Sequence, residues 1–100
     1  MDALGRIIAA CKEAGITPRD IYAPLPRIFE AGRKARLWRT RDEFTRDVEE
    51  VVCARAGVEY RGQRYLIGVS LARRPSRDNF RLFLSSGPMW CWALRFIPES

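Results

Sequence analysis

Apolar residues in the first half of the chain recur with the period of an α-helix. Leu4, Ile7, Ile8 and Cys11 are spaced i, i+3, i+4, i+7, which places them on one helix face. This stripe predicts an amphipathic helix over residues 2–14.

Cap residues mark the next boundaries. Asp2 suits the start of the first helix, and Gly15 suits the left-handed residue that follows its end. Thr17, Pro18 and Asp20 have the order of another helix start, with a capping hydroxyl, a proline in the first position and a capping-box acid. A short second helix is therefore expected there.

Two longer helical segments are predicted after the proline-rich stretch YAPLPR. One covers about 26–37, although Gly32 weakens it. The other covers 41–56 and begins with the T-x-x-E capping box of Thr40 and Glu43. Residues that trace the inner faces are Ile28, Phe29, Leu37 and Trp38 in the first, and Phe44, Val48, Val51, Val52 and Arg55 in the second.

After residue 57 apolar residues recur at every second position, which is the period of a β-strand. Val58 and Tyr60 begin one strand, and RGQR predicts a turn. The alternating runs 65–72, 80–85 and 89–97 predict further strands, separated by RRPSRDN and SSGP. The predicted fold class is α+β, with three main N-terminal helices packed on a three- or four-stranded antiparallel β-meander.

Length and composition are those of one globular domain, 1–100. Of its 100 residues 47% are hydrophobic and 30% charged, and a chain of this size buries roughly 60–70% of its unfolded surface. The N-terminal apolar run is interrupted by Arg6, and no window reaches the ~20 apolar residues of a membrane span. We expect no signal peptide and no membrane association.

Cysteine usage favours a cytoplasmic protein without a metal site. Cys11, Cys53 and Cys91 are widely spaced, no CxxC is present, and the chain contains no histidine. The usual zinc ligand sets are therefore missing, and we expect reduced, mostly buried thiols. No cofactor is predicted.

Positive charge is clustered, and this is the main functional signal. The formal net charge is +6, and 16 of the 18 basic residues are arginine. A GC-rich coding sequence would explain the preference for arginine over lysine, but it explains the net excess of charge less well. Such clusters are typical of polyanion-binding surfaces. The candidate nucleic-acid contacts are Arg33, Lys34, Arg36, Arg39, Arg41, Arg61, Arg64, Arg73, Arg74 and Arg77.

The stretch MWCWALRF contains two further candidates. Trp90 and Trp92 share one strand face with Leu94 and Phe96, so packing in the core is one interpretation. The other is that the two indoles stack on unpaired bases, each worth about 1–3 kcal/mol.

Catalysis is not predicted. Without histidine there is no Ser-His or Cys-His pair, and no glycine-rich phosphate loop is present. Acidic residues are concentrated in 41–56, where helical spacing spreads them over a solvated face. These acids are Asp42, Glu43, Asp47, Glu49 and Glu50.

Two functions therefore remain. The first is a small basic protein that binds DNA or RNA, or regulates through its arginine clusters. The alternative is a protein–protein interaction module, such as a small regulator or inhibitor from a mobile element of a bacterium or phage. Such a module could also form a homodimer through an exposed sheet edge.

One short segment has a family resemblance. IIAACKEAGITPRDIY, residues 7–22, is similar to the helix-turn segment of bacterial histone-like nucleoid-structuring proteins. The resemblance covers about a sixth of the chain, and the glycine-and-arginine DNA-binding hook of that family is missing from the C-terminal half. The function of that family is therefore not carried over.

Overall fold

The computed structural model describes residues 1–20, 23–70 and 93–98. These residues form three helices, α1 (Ala3–Glu13), α2 (Leu25–Lys34) and α3 (Arg41–Cys53). They also form the strands β1 (Ala23–Pro24), β2 (Gly57–Tyr60), β3 (Gln63–Ser70) and β4 (Ala93–Pro98). The strands make one antiparallel sheet in the order β1–β4–β3–β2, which confirms the mixed α+β class.

The predicted caps form at the beginnings of α1 and α3. Asp2 Oδ1 accepts a hydrogen bond from the Gly5 N–H at 2.7 Å, and Thr40 Oγ1 accepts from the Glu43 N–H at 3.3 Å. The Glu43 carboxylate accepts in return from the Arg39 N–H at 2.7 Å, one residue before the cap. Both starts were readable because a cap is a local contact.

The predicted short helix at Thr17 is wrong for the described residues 17–20. Asp20 Oδ2 accepts from the Thr17 N–H at 2.9 Å, while the Asp20 N–H donates to the Thr17 carbonyl at 2.8 Å. The segment closes on itself as one turn, since these side-chain bonds give the backbone an alternative to a helix. β1 then begins at Ala23.

All three helices end with the same hydrogen-bond pattern. After α2, the Leu37 N–H donates to the Gly32 carbonyl at 2.8 Å and the Arg36 N–H to the Arg33 carbonyl at 3.0 Å, which is a Schellman motif. Equivalent bonds close α1 and α3. The motif needs one left-handed residue after the cap. That residue is Gly15 (φ 71°), Arg36 (φ 60°) or Arg55 (φ 48°).

Two of these ends carry backbone strain. For residues other than glycine, the left-handed conformation costs about 1–2 kcal/mol. After α2 and α3 the left-handed residue is an arginine. Gly15 follows α1 as predicted. Arg55 does not lie on the inner face of a helix, as the spacing had suggested, because α3 ends at Cys53 and Arg55 is exposed beyond it.

The strands pair as a hairpin followed by a direct β3–β4 ladder. Tyr60 pairs with Gln63, so Arg61 and Gly62 form a two-residue turn with φ of 50° and 78°. Positive φ at both positions is the type I′ geometry, and the predicted RGQR turn is confirmed. β3 pairs directly with β4, whereas the predicted four-strand meander would separate them; its strand 80–85 lies outside the described residues.

The sheet presents one face to the core. Ile67 and Phe96 are register partners and are 4% and 5% exposed, while Arg95 and Ile97 are exposed on the opposite face. This alternation places Phe96 on the core face, which was one interpretation of the last strand, and places Ile67 on the same face. The buried cluster joins these two residues to Ile7, Ala10, Leu25, Ile28, Trp38, Phe44 and Val48.

Trp38 reaches this cluster from outside a helix. The segment predicted as 26–37 ends at Lys34, so Trp38 lies in the connection to α3, where it is 2% exposed. Its ring lies against Gly32, where an added Cβ would be 1.9 Å from Trp38 Cζ3. Gly32 therefore provides space for the indole, whereas the sequence alone had marked it only as a weakness of the helix.

None of the helices within the described residues has the length and apolar character needed to cross a membrane.

Candidate nucleic-acid interface

Arg6, Arg27 and Arg33 donate side-chain hydrogen bonds to named acceptors in the described part of the chain. Arg6 donates to both carboxylate oxygens of Asp47, at 2.5 and 2.9 Å, and also to the Met1 carbonyl. Arg27 donates to the carbonyl of Ala14 at 2.8 Å. Arg33, a predicted nucleic-acid contact, forms a two-point ion pair with Glu30 at 2.7 and 3.2 Å.

Asp47 is a buried acid that the sequence analysis placed on a solvated face. It is 6% exposed and accepts from Arg6 and, at 2.7 Å, from the Trp38 indole N–H. Burial alone would raise the pKa of Asp47, but the hydrogen bonds from Arg6 and Trp38 and the charge of Arg6 together lower it. Helical spacing missed this residue because its partners come from α1 and the α2–α3 connection.

The first basic group surrounds the α2–α3 connection, and we call it the connection cluster. It consists of the predicted residues Arg33, Lys34, Arg36, Arg39 and Arg41, all of which are exposed. The side chains of Arg36 and Arg39 form no hydrogen bond or ion pair with other described residues. This pair therefore remains available to an external anion, whereas Arg33 already has a partner.

Two acids follow this cluster at the start of α3. Asp42 and Glu43 are exposed and favour the positive end of the helix. The Glu43 carboxylate also accepts from the Arg39 backbone N–H. These acids reduce the positive potential next to Arg39 and Arg41, so Lys34 and Arg36 are the more favourable part of the cluster.

The second basic group lies around the β2–β3 turn, and we call it the hairpin cluster. The predicted Arg61 and Arg64 are exposed, and the Arg61 guanidinium lies over the Tyr60 ring, 5.4 Å from its centroid. Arg64 is the register partner of Glu59. Arg55 is also exposed, but it precedes β2 by two residues and so lies at the end of that strand away from the turn.

Arg55 was missed as a candidate for a specific reason. The apolar spacing of 41–56 placed it on the inner face, and Gly57 was taken as the end of the helix. The observed end lies earlier, with Ala54 as cap and Gly57 opening β2. No signal in the sequence distinguished these two ends, since glycine suits both a helix end and a strand boundary.

The connection cluster and Arg55 lie at opposite ends of α3. The helix has 13 residues, and at 1.5 Å per residue it is about 20 Å long. The connection cluster precedes α3 and Arg55 follows it. An elongated polyanion could contact both ends, because a single DNA strand places phosphates several times within that distance.

Arg73, Arg74 and Arg77 lie outside the described residues, as do Trp90 and Trp92. Both the loop contacts and the choice between packing and base stacking stay predictions.

No three histidine, cysteine or acidic residues come together as metal ligands in the parts of the chain that the structure describes. Two open depressions of about 340 Å³ are present. One lies between α1 and α2 and the other beside Trp38, and each is lined by both acids and bases.

Comparison with known proteins gave no match to a protein family, to a curated protein or to a solved structure.

Proposed function

We propose that this protein is a non-enzymatic nucleic-acid-binding domain that contacts the phosphate backbone through exposed arginines. One observation carries the proposal: Arg36, Arg39 and Arg61 are exposed and form no ion pair with any acid among the described residues. Arg6 and Arg33, in contrast, have carboxylate partners. Arginines without acid partners, in a chain of net charge +6, favour a polyanionic ligand.

Phosphate binding suits this arrangement physically. A guanidinium offers five donors in a planar fork, which matches two phosphate oxygens at once. Each neutralised phosphate also releases condensed counterions, so affinity should fall steeply as salt rises. Arginines on separate elements would follow a backbone without reading base edges, and binding should depend weakly on sequence.

The proposal assumes the fold predicted from the sequence, in which three N-terminal helices cover one face of an antiparallel β-meander. The buried cluster that joins Ile67 and Phe96 to residues of all three helices supports it. The opposite sheet face and the turns then remain for ligand contact. We propose action in the cytoplasm, where nucleic acid is present and where the thiols of Cys11 and Cys53 would stay reduced.

Fluorescence anisotropy would test binding. Labelled single- and double-stranded DNA and RNA are titrated with the protein at several salt concentrations. We expect binding that weakens linearly in a log–log plot against salt, with a slope of about −0.9 for each duplex phosphate contacted. Absence of binding to all four ligands at low salt would contradict the proposal.

Matched charge variants would assign the surface. One triple variant changes Arg36, Arg39 and Arg61 to glutamine. A control removes three other exposed cations, Lys12, Arg19 and Arg46, and so has the same net charge. We expect the first variant to lose much more affinity than the control. An equal loss would indicate only a bulk charge effect.

A third variant tests the loop chosen from the sequence. Arg73, Arg74 and Arg77 are changed together to alanine, and circular dichroism checks that the domain remains folded. Weaker binding would add the loop to the interface. Unchanged affinity in a folded variant would remove it.

A protein partner is the second candidate, and Ile97 is the observation that favours it. Ile97 is 45% exposed on the outer sheet face, beside its register partner Leu66. An exposed isoleucine of this kind can form the apolar centre of a small interface. If nucleic acid does not bind, sedimentation of the wild type and of Ile97→Lys would test self-association through this face.

A further inference from the structure

We propose that Arg36, Arg55 and Arg61 are the anchoring phosphate contacts of the interface, held in place by left-handed backbone turns. This inference rests on the proposed nucleic-acid function and adds a specific set of residues to it. Arg55 is new to the candidate surface, and the other two are singled out from a larger group of exposed cations.

The three arginines share one unusual property. They are the non-glycine residues with positive φ in the described chain, at 60°, 48° and 50°. Glycine adopts this conformation readily, and asparagine and aspartate are the side chains that most often tolerate it. Arginine has no such advantage. All three are exposed, so packing in the core does not explain them either.

The end of α1 shows the same motif with less backbone strain. α1 ends with the same Schellman bonds as α2 and α3 but uses Gly15, with φ of 71°. The β2–β3 turn has glycine at its second position and arginine at the first, where asparagine, aspartate or glycine is preferred. Arginine therefore occupies positions where glycine would carry less backbone strain. Strain of this kind is typical of functional sites.

Favourable electrostatics at a helix end explain only some of the three left-handed arginines. A cation near the C-terminus of a helix is favourable, but α2 already has Arg33 and Lys34 in its last turn. α3 has no basic residue there, so Arg55 also serves that helix end. Arg61 belongs to a hairpin and has no helix to stabilise. The Arg61 guanidinium does lie over the Tyr60 ring, so Arg36 is the position that separates binding from structure most clearly.

The turns would fix the backbone position from which each of these side chains extends. In each motif the backbone on both sides is fixed by hydrogen bonds, as in the Leu37 to Gly32 and Ala56 to Val51 bonds. The guanidinium then projects from a rigid turn rather than from a mobile loop. A backbone that is already fixed reduces the entropy lost when the side chain binds a phosphate.

Glycine substitutions at these positions provide a sharp test. Arg36→Gly and Arg61→Gly should raise Tm, by up to about 8 °C each, because they relieve the left-handed strain. They should also weaken duplex DNA binding about eightfold each at 0.1 M salt, and reduce the salt slope by about 0.9. Arg55→Gly should weaken binding equally with a smaller change in Tm.

Arg19→Gly is the matched control. Arg19 is an exposed arginine in the 17–20 turn, outside the left-handed set, and its loss removes the same charge. The inference requires that it affect binding less than the other three substitutions. Affinity lost equally in all four variants, or retained in the three left-handed variants, would overturn the inference while leaving nucleic-acid binding intact. A wild type that binds no nucleic acid would instead overturn the proposed function, and the inference with it.

Discussion

The indole N–H of Trp38 donates to a carboxylate oxygen of Asp47 at 2.7 Å, inside the core. Arg6 of α1 donates to both oxygens of the same carboxylate. One acid thus joins α1, the α2–α3 connection and α3. The connection carries much of the first basic cluster, so the stability of the core and the presentation of the proposed interface depend on this acid.

Asp47→Asn should be strongly destabilising. Removing the charge breaks the ion pair of Arg6, whose side chain is only 31% exposed. We expect the free energy of unfolding, measured in urea, to fall by roughly 2–3 kcal/mol. This is no more than the smallest losses that follow when a buried ion pair is broken. Glu30→Gln is the control, since it breaks the exposed pair with Arg33 and should change stability far less. Similar losses in both variants would argue against the buried pair.

Stability should also depend on pH through Asp47. Its pKa is lower in the folded protein than in the unfolded chain. The stabilisation is therefore fully present above the unfolded pKa, about 4, and is lost as pH falls through the folded value. Urea midpoints measured from pH 7 down to pH 2 should show a decline below about pH 4 that is smaller in Asp47→Asn. Identical profiles for the two proteins would contradict this origin.

Trp38→Phe should separate the hydrogen bond of Trp38 from its packing. The phenyl ring keeps much of the contact with Phe44, whose centroid lies 4.7 Å from that of Trp38, but it cannot donate to Asp47. We expect a loss of about 1–3 kcal/mol and a rise in the pKa of Asp47. A double-mutant cycle with Asp47→Asn should show coupling, because the two residues share the contact. If the stability losses of the two substitutions were strictly additive, Trp38 would stabilise the protein through packing alone.

Gly32→Ala should destabilise the protein although it replaces glycine within a helix. Alanine has the better helix propensity by about 1 kcal/mol, yet its Cβ would lie 1.9 Å from the Trp38 ring. Overpacking of this kind costs about 1–3 kcal/mol, so we expect a lower Tm. Gly5→Ala in α1 is the comparison, since its Cβ meets the exposed Met1 side chain at 2.8 Å. A stabilised Gly32→Ala variant would show that Trp38 does not occupy this space.

Cys11 should resist thiol reagents in the folded protein. It is 4% exposed, and burial raises its pKa to about 11. In a Cys53→Ser, Cys91→Ser background, reaction with a disulfide reagent at pH 8 should be slow and should accelerate when urea unfolds the domain. The exposed Cys53, alone in a Cys11→Ala, Cys91→Ser background, should react rapidly. Equal rates in the two folded variants would contradict the burial of Cys11.

The sequence by itself determined the local features of this protein. The caps at Asp2 and Thr40, the left-handed Gly15 and the turn at Arg61 were readable because each is set by neighbours within a few residues. The alternation that buries Ile67 and Phe96 was also readable, since a strand faces one way at every second residue. These features established the α+β class.

Only the tertiary structure decided which residues meet across the chain. Asp47 had the pattern of a surface acid until Arg6, 41 positions away, bound it. Gly32 had the pattern of a weak point in a helix until Trp38 packed against it. Helical and strand periods describe a residue relative to its own element. Contacts between distant elements depend on how those elements pack, and local spacing does not encode that packing. The pairing of Arg6 arises in the same way, whereas the pair of Arg33 with Glu30 is a local contact within α2.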